Sequence, residues 1–125
     1  MTLVLDSGAF IALERGDRDV AALIAREHRA GRVPRTHGGV VAQVWRGEAR
    51  QSLVARLLDG TEVAPLDEEL GRRSGILLER SGRADVVDAA VVLLAGDDDE
   101  ILTSDPRDLA GLAAASGIHV EIVSV

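Results

Sequence analysis

Aspartates stand at the ends of several apolar runs in this chain. Asp6 and Asp105 each close such a run, and Asp85 and Asp88 head a third one. An acid at the carboxyl end of a buried parallel strand points into the crevice where open α/β sheets bind ligands. Carboxylates that share a cleft raise each other's pKa, and a bound divalent ion with oxygen ligands relieves this repulsion. The pattern therefore predicts a site for a hard metal ion, and hydrolysis of a phosphate ester is the first chemistry to consider.

Helix capping is the alternative explanation for these acids. Asp85 and Asp105 have the positions of helix N-caps, the latter followed by a proline, and Asp88 and Asp108 fall in the first turns. Asp6 is also placed to cap a helix. Capping explains Asp85 and Asp108 well and leaves Asp105 open. A purely capping account needs three coincidences at one edge of the sheet, so we favour the metal site.

The other polar clusters are less informative. The acidic run Asp97–Glu100 is expected to be a solvated turn, because consecutive acids point in different directions. Hydroxyls beside the acids could orient a water or a phosphate, but no histidine is placed to activate them as nucleophiles. These hydroxyls belong to Ser7, Thr103 and Ser104. The histidines lack the spacing of a zinc site: His28, His37 and His119.

Composition excludes several classes of function. The chain has 125 residues, 46% of them hydrophobic, which predicts one domain spanning residues 1–125. It has no cysteine and no lysine, so thiolate zinc sites, cysteine nucleophiles, Schiff bases and the lysine-containing phosphate loop are excluded. The net charge of -7 opposes non-specific nucleic-acid binding, although arginine clusters and a metal ion can override it. No apolar run approaches the length of a membrane span, so we expect a cytoplasmic protein.

Short β-like runs alternate with helical periods, which predicts an α/β fold with a central, mostly parallel, five-stranded sheet flanked by helices. The predicted strands are Thr2–Leu5, Arg32–Thr36, Glu62–Pro65, Glu100–Ser104 and His119–Val123. The predicted helices include Val20 to Ile24 with a stop at Gly31, then run from Gly38 to Leu58, from Asp67 to Arg80, and over Ala89–Ala95 and Leu109–Ala115.

One face of the second predicted helix combines an amide with basic residues. Gln43, Arg46, Gly47 and Arg50 follow the i, i+3, i+4, i+7 spacing of one helical face. If Gln43 faces the acids, the arginines lie along the same rim and can hold a phosphate backbone. An ordinary solvated basic face is the alternative, favoured slightly for Arg50. Trp45 is expected to pack or to anchor an interface.

Four segments of the chain resemble the motifs of PIN-domain ribonucleases, in particular the VapC toxins of bacterial toxin–antitoxin pairs. The resemblance covers nearly the full length and rests on Leu3–Ala9, Val40–Arg46, Val87–Ala90 and Leu102–Asp105. The first and fourth motifs are fairly specific together and weak alone. The resemblance implies a PIN-like fold, Mg²⁺- or Mn²⁺-dependent cleavage of RNA, a homodimer, and an antitoxin protein that covers the site.

Carried over to this chain, the resemblance makes Asp6, Asp88 and Asp105 the metal-binding and catalytic acids. It places Asp85 and Asp108 as possible outer members of the site. The implied reaction is in-line attack of a metal-activated water on an RNA phosphodiester. Asp6 and Asp88 would be the principal ligands, and Asp105 a third ligand or the acceptor that aligns the water.

The chain departs from the family pattern at Gln43, where most members have glutamate. Glu48 is no simple substitute, because it faces another direction on a continuous helix. The site would then hold its metal more weakly, recruit one ion, or have lost activity, which makes a catalytically silent PIN-like binding module the competing hypothesis. A haloacid-dehalogenase-type phosphatase is discounted, because Asp6-Ser7-Gly8 lacks the second aspartate of that family and the chain has no lysine.

Overall fold

A computed structural model describes residues 1–47 and 49–125. Within these residues it contains five strands, β1 to β5 in chain order: Leu3–Leu5, Arg35–His37, Glu62–Ala64, Glu100–Thr103 and Glu121–Ser124. The same residues form seven helices, α1 to α7: Ser7–Glu14, Arg18–Arg29, Gly38–Val44, Ser52–Asp59, Glu68–Ser81, Val86–Leu94 and Pro106–Ser116. None of the helices in this described part of the chain is long and apolar enough to span a membrane.

The strands form one sheet in the order β3-β2-β1-β4-β5, with every pair parallel. The predicted five-stranded α/β sheet is confirmed. The chain builds the sheet outward from β1 in one direction and then crosses to β4 on its other side. Ligands bind where the direction of strand order reverses, outside the carboxyl ends of the strands. Here that point lies between β1 and β4, and we call this side of the sheet the carboxyl edge.

Strands β1 and β4 are fully buried because helices cover both faces of the sheet. Their register pairs Leu5 with Leu102, and the Asp6 N–H extends the ladder by donating to the Leu102 carbonyl at 3.0 Å. Around them pack aliphatic residues from the helices and the fully buried Phe10. Both strands therefore deliver their following residues to the carboxyl edge from a rigid centre.

Helix α1 was not predicted from the sequence. Its residues Ser7–Glu14 are apolar on most sides, so they show no clear helical period. The helix begins directly after β1 and requires glycine at position 8. A Cβ on Gly8 would lie 2.6 Å from the Oγ and 2.7 Å from the backbone nitrogen of Ser104. The glycine therefore allows the β1–α1 and β4–α7 junctions to touch.

The predicted continuous helix from Gly38 to Leu58 is wrong, because α3 ends at Val44 and α4 begins at Ser52. The buried Gln51 side chain explains the break. Its Nε2 donates to the Val44 carbonyl at 2.8 Å, and its Oε1 accepts from the Arg46 N–H at 2.7 Å. A side chain from further along the chain thus replaces the hydrogen bonds that continuation of α3 would supply.

Because α3 ends at Val44, the prediction that Gln43, Arg46, Gly47 and Arg50 share one helical face is wrong. The backbone has positive φ at Gly47 (119°) and Arg50 (65°), which no helix contains. Glu48, dismissed above as a substitute for Gln43, lies outside the described residues.

The remaining boundaries shift by a few residues. The second predicted strand, Arg32–Thr36, begins three residues too early and ends one residue too early, since β2 spans Arg35–His37. The helices over 67–80, 89–95 and 109–115 are confirmed with adjusted ends. The run Asp97–Glu100 is only partly the predicted solvated turn. Asp99 is buried and accepts the N–H groups of Thr2 and Gly96, and Glu100 is buried against Arg26 at 2.8 Å.

Candidate metal centre

Three carboxylates converge beyond the carboxyl edge. Asp88, Asp105 and Asp108 each offer one oxygen, and these oxygens lie within 4.8 Å of one another. Asp88 is buried in the first turn of α6, Asp105 is the exposed residue between β4 and α7, and Asp108 is half-buried in the first turn of α7. The first turns of two helices and the end of a central strand therefore build one acidic centre.

An open cleft of about 270 Å³ adjoins this centre. We call it the acidic cleft, and its lining residues are Gly82, Arg83, Ala84, Asp85, Asp88, Asp108 and Leu112. Its acids come from both α6 and α7, so the cleft lies where the two helices begin. The cleft is open to solvent.

Asp105 occupies the N-cap position of α7, as the capping explanation predicts, but within the described residues its carboxylate makes no capping hydrogen bond. Its backbone N–H donates to the Thr103 Oγ1 at 2.9 Å. Pro106, which has no N–H, occupies the first helical position. The side chain of Asp105 is therefore placed at the centre without being used by the helix.

Asp6 is buried beside the centre and held by two hydrogen bonds. Its Oδ1 accepts from the Ser7 N–H at 2.7 Å, and its Oδ2 accepts from the Thr103 hydroxyl at 2.7 Å. Thr103 thus connects Asp6 to the Asp105 backbone. The sequence made Asp6 a principal ligand and Asp108 an outer residue, whereas the oxygens that approach within 4.8 Å are those of Asp88, Asp105 and Asp108.

Asp85 acts as the N-cap of α6, which agrees with the capping explanation. Its Oδ1 accepts from the Asp88 N–H at 3.0 Å. This bond fixes the turn of α6 that carries Asp88. Asp85 also adds negative charge to the acidic cleft, so it acts on the centre both through the backbone and through its field.

The electrostatics of the cleft are dominated by Asp88. Burial, followed by repulsion from Asp6, Asp85, Asp105 and Asp108, raises its pKa to about 7. The pKa of Asp6 is also raised, mainly by burial, while the hydrogen bonds from Thr103 and Ser7 oppose the shift. Without a cation, Asp88 therefore takes up a proton as the pH falls through about 7.

His37 is a buried residue near the site whose role sequence reasoning missed. Its Nδ1 accepts from the Gly39 N–H at 3.0 Å and caps α3, so the proton resides on Nε2, which donates to the Val87 carbonyl at 3.0 Å. Burial lowers the pKa of His37. The neutral ring therefore ties α3 to the turn of α6 that carries Asp88. Its position at a strand end, before Gly38-Gly39, was the available sequence signal.

Arg83 was also missed. It follows α5 in the loop that leads to α6, and its Nη1 pairs with the Asp108 Oδ1 at 2.7 Å. Among the described residues that line the acidic cleft, it is the one cation. Local sequence offers no signal for this contact, because its partner lies 25 residues away.

The other predicted site residues have different roles. Ser104 is exposed and backs onto Gly8, and Gln43 is exposed on α3. Arg46 lies beyond the end of α3, and its Nη1 donates to the carbonyls of Ala42 and Trp45 at that end of the helix. Trp45 packs against the core, as expected.

The donor set fits a hard divalent cation. The three converging side chains are all carboxylates, and oxygen donors suit Mg²⁺, Mn²⁺ and Ca²⁺ rather than the softer metals. The Asp105 carboxylate makes no capping hydrogen bond within the described residues, and the pKa of Asp88 is raised. A cation bound between these acids would therefore be stabilising.

Comparison with known proteins supports the fold. No family model matches the chain, and no curated protein is recognisably similar in sequence. A solved structure of VapBC2 from Rickettsia felis, bound to a DNA fragment from their promoter, contains a chain that superposes with a TM-score of 0.72. The match covers 99% of this chain and 100% of that chain at 11% sequence identity. The predicted PIN-like fold is therefore confirmed, at the level of fold.

Proposed function

We propose that this protein is a divalent-metal-dependent endoribonuclease that hydrolyses RNA phosphodiester bonds. The observation that carries the proposal is the convergence of Asp88, Asp105 and Asp108 within 4.8 Å at the carboxyl edge of a PIN-like sheet. The resemblance of the sequence motifs to VapC toxins supplies the substrate class.

Asp88, Asp105 and Asp108 would hold Mg²⁺ or Mn²⁺, with Asp6 buried beside them. When bound, such an ion lowers the pKa of a coordinated water and neutralises charge on the phosphate oxygens. The chain's own contribution is positioning. Asp85 fixes the turn that carries Asp88, and Thr103 orients Asp6 while accepting from the Asp105 backbone. The exposed Asp105 carboxylate would help to hold the ion or would accept a hydrogen bond from the attacking water.

We further propose that the protein is a cytoplasmic toxin that forms a homodimer and binds an antitoxin protein. The sequence resemblance to VapC toxins and the structural similarity to a chain of VapBC2 support this assignment. Light scattering on the purified protein checks the dimer, and a monomer mass at high concentration would remove it. Co-purification with the product of a neighbouring gene checks the antitoxin.

Metal removal tests the proposed activity. Calorimetry with Mn²⁺ should show saturable binding, and a labelled single-stranded RNA should be cut in Mn²⁺ or Mg²⁺ and left intact in chelator. Restoring the ion should restore cleavage, since the carboxylates are placed before the ion arrives. Metal binding without cleavage of any RNA tested would instead support the alternative, a catalytically silent PIN-like module.

Gln43 stands where most members of the family have glutamate, so a substitution at this position tests whether it contributes to metal binding. If its exposed side chain reaches the metal, Gln43→Glu should tighten Mn²⁺ binding and raise activity at limiting metal, because an added ligand charge strengthens attraction to a hard cation. We expect about a tenfold gain in affinity, the effect of roughly 1.4 kcal/mol. Ala42→Glu, one residue away and also exposed, is the charge-matched control. Equal affinities in the parent and Gln43→Glu would leave the aspartates alone as the ligands.

A further inference from the structure

Arg83 is a cation placed within a cleft of acids. Its guanidinium group pairs with Asp108 through Nη1, and its side chain is 34% exposed. A guanidinium group has five N–H donors. The contact with Asp108 uses one of them, which leaves donors available to a ligand in the acidic cleft.

The Arg83 side chain packs against helix α7 at Gly111. A Cβ at that position would overlap the Arg83 guanidinium group. Gly111 lies in the interior of α7, between leucines and alanines, where glycine costs about 1 kcal/mol relative to alanine. The close approach of Arg83 explains the glycine, because a larger residue here would require the guanidinium group to move. Gly111 and Asp108, one turn apart, together hold Arg83 at the wall of the cleft.

Arg83 carries a positive charge in a cleft that is otherwise negative. The acidic cleft contains Asp85, Asp88 and Asp108, and the chain carries a net charge of -7, so an approaching polyanion is repelled. A planar guanidinium group binds phosphate oxygens through paired N–H donors. Arg83 therefore supplies a phosphate-binding group next to acids that would otherwise exclude a phosphate.

We propose that Arg83 binds the phosphodiester group of the RNA strand that enters the acidic cleft. This proposal deepens the proposed function and rests on it for the identity of the substrate. In the unbound protein Asp108 and Gly111 hold the side chain ready. On binding, the guanidinium group contacts non-bridging phosphate oxygens and offsets the repulsion from the neighbouring aspartates.

A purely structural role is the competing explanation, in which the ion pair only ties the loop before α6 to α7. Arg83→Met keeps the length of the side chain and its packing while removing the charge. Arg80→Met, on α5 and outside the acidic cleft, is the matched control. RNA binding is measured by fluorescence anisotropy with a short labelled single-stranded RNA, in an Asp88→Asn background that prevents cleavage. Mn²⁺ affinity is measured by calorimetry with Asp88 intact.

We expect Arg83→Met to weaken RNA binding by about tenfold or more, the usual size of a charged hydrogen bond to phosphate. Arg80→Met should leave it within about twofold. Arg83→Lys should rescue part of the loss, because it restores charge without the paired donors. Mn²⁺ should bind Arg83→Met at least as tightly as the parent, since the variant removes a competitor for Asp108.

Unchanged RNA affinity in Arg83→Met would overturn the proposal. Loss of Mn²⁺ affinity and thermal stability alongside RNA affinity would also overturn it, because that pattern belongs to the structural role. Failure of the parent to bind Mn²⁺ or cleave RNA would overturn the proposed function instead. The RNA affinities of the two methionine variants would still decide the role of Arg83.

Discussion

Asp88→Asn is expected to abolish metal-dependent RNA cleavage while the fold persists. Asparagine keeps the shape of the side chain and removes the charge that binds the ion. The bound ion supplies several kcal/mol of transition-state stabilisation, so we expect a loss of about a thousandfold or more. The N-cap bond from Asp85 is unaffected, because it uses the backbone N–H of residue 88. Cleavage assays at saturating Mn²⁺ provide the measurement, with Asp19→Asn as an exposed control on α2.

The same variant should be more stable than the parent when metal is absent. The pKa of Asp88 is about 7 in the folded protein, against an ordinary value of 3.8. The folded state thus retains a proton that the unfolded state has released between these two values, so the stability of the parent falls as pH rises through this window. The shift corresponds to at most about 4 kcal/mol at pH 7. The neutral asparagine side chain of the variant carries no such penalty.

Urea unfolding in chelator, at pH 4.5 and pH 7, measures the effect. The parent should approach the variant in stability at the lower pH, where Asp88 is protonated in the folded state, and fall below it at the higher pH. Equal stabilities at pH 7 would mean that neither burial nor repulsion from the neighbouring acids raises the pKa of Asp88. Cleavage by the variant at the rate of the parent would remove Asp88 from the site.

Local sequence rules identified the carboxyl edge, where the candidate site lies, because they show where a buried strand ends. An apolar run closed by an acid defines both a buried strand and the point where it stops. For Asp6 and Asp105 this information also fixed the shared edge, because β1 and β4 are parallel neighbours. The pattern needed no knowledge of side-chain contacts, so it was correct for the sheet as a whole.

One error in the sequence prediction arose where a side chain hydrogen-bonds to the backbone seven residues earlier. The helical period runs through residues 38–58 without a break, and the amide of Gln51 ends α3 by binding the Val44 carbonyl. Glutamine is a good helix former, so its type predicts continuation. Helix α1 was missed for the opposite reason, since its nearly uniform apolar composition hides its period.

The composition of the acidic centre also depended on long-range contacts. The position of Asp108 in the first turn of α7 already explained this acid locally. In the fold, the start of α6 also places Asp88 beside Asp108. Arg83 lies beside Asp108 and packs over Gly111, where a side chain would overlap its guanidinium group. Thr103 engages Asp6 across 97 residues of sequence. Such pairings follow from the crossing of packed helices and strands, which periodicity does not encode.

Metal binding should be strongly dependent on pH because Mn²⁺ and a proton compete for Asp88. With a pKa of about 7, Asp88 is largely protonated in slightly acidic solution and ionised above pH 8. Apparent Mn²⁺ affinity should therefore fall by about tenfold for each pH unit below 7 and level off above 8. Burial lowers the pKa of His37, which favours the neutral form of its ring.

Calorimetry in two buffers of different ionisation enthalpy separates proton release from metal binding. The parent should release about one proton per ion near pH 6 and much less above pH 8. Asp108→Asn keeps Asp88 but removes one neighbouring charge, so its pH dependence should shift to lower pH, since each acid contributes to the raised pKa of Asp88. Affinity that stays constant between pH 5.5 and 8 would show that the ion binds without displacing a proton from Asp88. In that case either Asp88 is already ionised at pH 5.5, contrary to its raised pKa, or the metal lies outside the group formed by Asp88, Asp105 and Asp108.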